Sequence, residues 1–95
     1  MNTELIEYTK KYRKLLEEAL NIIKPNIENE SHLKNISEDF LNMAKNYLED
    51  GKILENKKDY SRALASYSYA YGWIDSGVRT GLFYANDRNR FTLFK

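Results

Sequence analysis

Residues 60–81 carry the pattern that most limits what this 95-residue chain can become. Tyr60, Ala63, Tyr67, Ala70, Ile74, Gly77 and Gly81 follow one another by steps of three and four without a break. Only an α-helix gathers such positions on one face, because it turns once every 3.6 residues. Small residues alternate with rings along that face, and Leu64, Tyr71 and Val78 lie beside it. Such alternation suits a close helix contact in which rings fill the gaps left by small neighbours. Asp59 stands where an N-cap is wanted, so the spacing predicts a helix over 60–81. Gly72, Gly77 and Gly81 each cost about 1 kcal/mol relative to alanine inside a helix, and tight packing is expected to offset that cost.

Two further helices precede it. Leu5, Tyr8, Tyr12, Leu15, Ala19 and Ile22 form a second stripe of threes and fours, widened by Leu16 and Ile23. Asn2 or Thr3 can cap it, and Pro25 stops it, since the residue before a proline resists the helical basin. This helix is predicted over 3–23. A polar connector, residues 25–36, follows, with Ile27, Leu33 and Ile36 able to pin it to the core. Ser37 then reads as an N-cap before Glu38 and Asp39. Phe40, Ala44, Tyr47, Gly51 and Leu54 make the third stripe, flanked by Leu41 and Leu48, and predict a helix over 37–57. After Gly81 the pattern breaks into a turn, and Phe91-Thr92-Leu93-Phe94 ends the chain in extended, β-favouring residues.

The fold expected is therefore all-α: an up-and-down three-helix bundle with an extended C-terminal tail, one domain over residues 1–95, the tail being 82–95. Its core is expected to hold Tyr8, Tyr12, Leu16, Phe40, Ala44, Tyr47, Leu48, Ala63, Leu64, Tyr67, Ala70, Tyr71 and Ile74. No apolar run approaches the ~18 residues of a membrane span, and no apolar block follows the first Met as in a signal peptide.

Composition narrows the chemistry. With no Cys there is no disulfide, no thiolate nucleophile and no Cys-ligated metal. His32 is the single histidine, with Glu28 and Glu30 nearby in the connector. One imidazole and two carboxylates fall short of the three or four fixed ligands zinc usually takes, so His32 is read as an exposed loop residue. No glycine-rich phosphate loop, H-E-x-x-H or G-x-S-x-G occurs. An enzyme is not expected, and neither is a cofactor or metal.

Net charge is +1, but it is unevenly spread. Residues 25–60 carry eight acids and five bases, whereas residues 61–95 carry two acids and five bases. The bases of that last third, Arg62, Arg79, Arg88, Arg90 and Lys95, lie among aromatics. Bases interleaved with rings can bind single-stranded nucleic acid, although a local excess of three is thin for it.

Asp75 and Arg79 are four apart with the acid first, the favourable order for a helix ion pair. The other reading is that Asp75, beside Trp73, meets a ligand or partner. At 100° per residue Trp73 points about 110° from the stripe centred on Tyr67 and Ile74, and Tyr69 about 150°. Ala65 and Ser66 lie near them, so this second face is small and aromatic. Either the tail, through Phe91 and Phe94, covers it within one chain, or it meets another protein or a second copy.

One resemblance joins these residues. Ala44-Lys45-Tyr47, Asp59-Ala63-Leu64, Ser68-Tyr69-Ala70, Gly72-Trp73-Asp75-Gly77-Arg79-Gly81 and Phe91-Thr92 together closely resemble the archaeal family catalogued as domain of unknown function 357. Ser76 stands where that family usually has Ala, and Gly51 where Ala is common, both small-for-small. The resemblance implies a three-helix bundle in a cytoplasmic archaeal protein and no assigned activity. Gly51, Tyr60, Ala63, Tyr67 and Ala70 also match tetratricopeptide spacing, but a lone helix pair of that kind cannot bury its faces. Two function classes follow: a non-catalytic interaction or self-associating module using Tyr69, Trp73 and the tail, or a nucleic-acid- or ribosome-associated factor using the C-terminal Arg residues with Lys10 and Lys14. Salt separates them, since phosphate binding weakens steeply with ionic strength.

Overall fold

The structure, a computed structural model, describes residues 2–25 and 32–85. Its elements are α1 (Thr3–Ile22), β1 (Lys24–Pro25), α2 (His32–Asn56), α3 (Tyr60–Arg79) and β2 (Phe83–Tyr84). The three helices pack on one another as an all-α bundle, with α3 the hub that lies along both α2 and α1, while α1 and α2 touch only lightly. Phe40 of α2 meets Trp73 of α3, and farther along α2 Tyr47 meets Tyr69, so these two helices run antiparallel. Thr9 near the start of α1 reaches Tyr60 at the start of α3, so α1 runs parallel to α3 and the order is up, down, up.

The helix ends follow local chemistry. Asn2 caps α1 by accepting from the Leu5 N–H at 3.1 Å, and Asp59 caps α3 by accepting from the Arg62 N–H at 3.4 Å. Between α2 and α3 the chain reverses in three residues. Asp59 N–H donates to Leu54 O and Lys58 N–H to Glu55 O, both at 2.9 Å. This is the Schellman pattern, with Lys58 at φ 63° in the place usually given to glycine. Gly81, at φ 85°, makes the corresponding turn after α3.

Several expectations are displaced. α2 begins at His32 rather than Ser37, so Ser37 is a buried helical residue and not a cap. His32 opens that helix, exposed, instead of sitting in a loop. α3 ends at Arg79, which leaves Gly81 outside it. Phe83–Tyr84 finds a strand partner: it pairs antiparallel with Lys24–Pro25, Lys24 opposite Tyr84 and Pro25 opposite Phe83. The remainder of the tail, with Phe91 and Phe94, lies outside the described residues, as does most of the connector.

The core stripe of α3 is as the spacing predicts, with Ala63, Tyr67, Ala70, Ile74 and Gly77 all buried. The stripes of α1 and α2 keep Ala19, Ala44 and Gly51 buried as expected, with Leu16 and Leu48 beside them, and shift elsewhere to adjacent positions. Thr9, Leu16 and Ala19 are buried on α1, whereas Tyr8 and Tyr12 remain 45% and 40% exposed. Ser37, Ala44, Leu48, Gly51 and Glu55 are buried on α2, with Phe40 and Tyr47 half-buried at its flank. Leu64 and Tyr71 are likewise half-buried. The reason is steric and polar together. Tyrosine hydroxyls keep a partner in water at the edge, while Gly51 takes the position of closest approach to the Tyr67 ring.

Candidate functional site

Among the described residues, two places gather side chains with chemistry in them. The first is inside, where the three helices meet. Gly51 on α2 has no side chain, and a Cβ there would strike the Tyr67 ring. The ring therefore crosses the α2 backbone and delivers its hydroxyl to Glu55, donating to Oε1 at 2.8 Å. Arg13 of α1 donates through Nη1 to the other oxygen, Oε2, also at 2.8 Å. Glu55 is 9% exposed. Burial, and then the hydrogen bond to Glu55, hold the Tyr67 phenol well above its ordinary range. Outward from this point charges alternate: Glu17 lies 3.7 Å from Arg13 and 3.3 Å from Lys52, and Lys52 lies 3.6 Å from Glu49. Glu55 was not anticipated from sequence, although it stands on the line of Ala44, Leu48 and Gly51 by steps of four, three and four.

The second place is the outer face of α3. Ser68, Gly72 and Ser76, at steps of four, floor a shallow groove of about 380 Å³ walled by Tyr69 and Trp73. Nothing lies within 4 Å of where a Cβ on Gly72 would stand, so this glycine opens space instead of allowing close packing. From Ala63 to Ile74 there is no charged residue, although the helix faces solvent on this side. Tyr69 is 59% exposed and leans on Tyr47, ring centroids 4.7 Å apart. Trp73 is half-buried: α2 lies along its flank, and Phe40 meets the indole edge-on at 5.0 Å. Among the described residues the indole N–H, buried, finds no acceptor.

Tyr69 and Trp73 are thus brought together, one turn apart, with α2 behind them. Asp75 lies half-buried on the neighbouring flank of α3, and Arg79 is exposed at the helix end. One carboxylate oxygen of Asp75 is withdrawn from solvent while the Arg79 side chain stands in it. Phe91 and Phe94, proposed to join this face, lie outside the described residues. Ser68, Gly72 and Ser76 were the residues that sequence reading missed. Their signal is the i, i+4, i+8 spacing of small residues opposite the core stripe.

The described bases named for nucleic-acid binding lie on α1 and at the two ends of α3. Arg62 is paired to Asp59 at 3.4 Å at the start of α3, and Arg79 stands at its other end, about 25 Å away by helix rise. Lys10 and Lys14 are exposed on α1. Arg88, Arg90 and Lys95 fall outside the described residues. Among the described residues no three histidine or carboxylate side chains converge as metal ligands, and no helix is long and apolar enough to cross a membrane.

A family model described as a protein of unknown function (DUF357) matches residues 11–83, and the chain belongs to that family. The match stops before Phe91-Thr92, so that part of the resemblance is not covered by it. No curated protein and no solved structure matches the chain.

Proposed function

We propose that this DUF357 protein is a non-catalytic interaction module, which binds a protein partner or a second copy of itself through the outer face of α3. The observation that carries the reading is the groove floored by Ser68, Gly72 and Ser76 beside an exposed Tyr69. A solvated helix face ordinarily carries charge, and this one carries none for twelve residues. Small residues let a facing backbone come close, and Tyr and Trp are the side chains most enriched where binding energy concentrates. Tyr47 and Phe40 hold Tyr69 and Trp73 from behind, so a partner meets a wall that is already ordered. The family resemblance supports placing the protein in the cytoplasm of an archaeon.

Gly72 supplies a clean test, because its side chain position is empty. Gly72→Leu fills the groove, and by helix propensity it stabilises the fold by roughly 0.8 kcal/mol. Sedimentation of the pure protein and quantitative capture from native lysate are compared for wild type, Gly72→Leu and Tyr69→Ser. The expected result is a dimer, or one discrete captured protein, lost in both variants while melting is not lowered. Unchanged association in both variants overturns the reading. Capture that nuclease abolishes, and that falls steeply with salt, points instead to nucleic acid.

A further inference from the structure

Apolar burial holds α1 unevenly. Leu16 and Ala19 are fully buried in its second half, Ile23 follows at 8% exposed, and β1 then ties the chain to β2. In the first half the buried residue is Thr9, which is polar, while Leu5 and Ile6 are only half-buried and Tyr8 and Tyr12 face outward. What fixes that half to the other helices is polar as well. The Thr9 hydroxyl donates to Leu5 O at 2.8 Å and to Tyr60 O of α3 at 3.3 Å. Arg13 donates to Glu55 of α2.

We propose that residues 3–13 form a lid that opens as a unit over the Tyr67–Glu55 pair, with Arg13–Glu55 as its latch. The charged groups around that carboxylate are Arg13 and Glu17 from α1, Lys52 and Glu49 from α2, and the Tyr67 phenol from α3. A charge pair suits a latch where an apolar seam does not. Both ions regain hydration on opening, which offsets most of the attraction given up. Segments with few apolar contacts are the ones that open below the global unfolding free energy. Glu55 meanwhile keeps the Tyr67 hydroxyl as a partner, so the α2–α3 hairpin stays closed when α1 lifts. The second half of α1, seated on Leu16, Ala19 and Ile23, is the hinge side. This device is independent of whether the outer face of α3 binds anything.

Native-state hydrogen exchange on the full chain tests it. In wild type, amides of residues 8–12 are expected to share one opening rate, with protection at least tenfold below that of residues 63–70. Arg13→Gln is expected to raise exchange at 8–12 a further three- to tenfold, with less than a twofold change at 63–70. Three results overturn the proposal. One is equal protection of the two segments in wild type, which needs no variant to fold. Another is a graded rise in exchange from residue 12 back to residue 8, which is end fraying. The last is an Arg13→Gln protein whose 8–12 amides stay within twofold of wild type, or move by the same factor as 63–70.

Discussion

Single residues decide where this small fold is tight and where it is open, and its glycines show both. Gly51 faces the Tyr67 ring and Gly77 faces the Phe83 ring, each so closely that a Cβ at either would strike it. Gly72 faces empty space. The close packing expected for Gly77 is real, but its partner is the strand residue Phe83 and not another helix. Alanine at these positions should therefore act with opposite signs. Gly51→Ala and Gly77→Ala are each expected to destabilise by about 1–3 kcal/mol through overpacking. Gly72→Ala is expected to stabilise by about 1 kcal/mol, the ordinary propensity gain. Urea denaturation of the three variants checks this, and a common sign for all three would contradict the geometry.

The elements add a question of rotation. A stripe read by period alone does not say which of two adjacent lines faces inward. On α1 the line through Tyr8 and Tyr12 carries the larger rings, yet the line through Thr9 and Leu16 is the one buried. Thr9 can be buried because its hydroxyl finds carbonyl acceptors at Leu5 and Tyr60. The tyrosines stack loosely on each other at the rim, centroids 6.5 Å apart. Tyr8→Gln and Tyr12→Gln are accordingly expected to change stability by no more than about 0.5 kcal/mol. Leu16→Ala, at a fully buried site, is expected to cost about 2–5 kcal/mol. Thermal melts of the three variants distinguish this rotation from the one in which the tyrosines are core.

At the scale of the whole molecule, one carboxylate touches all three helices. Glu55 of α2 accepts from Arg13 of α1 and Tyr67 of α3. Because α1 and α2 otherwise meet little, this point sets how the first helix sits against the other two. Its pH dependence follows from the raised Tyr67 phenol. Below about pH 10 the phenol is protonated in both folded and unfolded chains, and its contribution to stability is fully present. Above that the unfolded phenol ionises and the folded one does not, so stability falls, by at most about 1.4 kcal/mol per pH unit for this one group. Tyr67→Phe should be less stable than wild type by about 1–2 kcal/mol near neutrality. The gap between the two melting curves should stay constant up to about pH 10 and shrink as pH climbs above it. A gap that stays constant would show that Tyr67 ionises in the folded chain as readily as in the unfolded one.

The bare chain already fixes the number of helices, the limits of α1, the cap at Asp59 and the core line of α3, and it narrows the first cap to Asn2 or Thr3. Those are consequences of local backbone chemistry and of a face so regular that only one rotation buries it. The outer face of α3 was half legible: Tyr69 and Trp73 stood out as rings off the core line, whereas the groove beside them is made by what Ser68, Gly72 and Ser76 lack. Only the tertiary structure decided that Trp73 leans on Phe40, that Phe83–Tyr84 pairs with Lys24–Pro25, and that Glu55 joins three helices. Each of these unites residues at least 12 positions apart, which no period of 3.6 connects. Each is settled by which neighbour fills a volume or satisfies a charge once the helices have met.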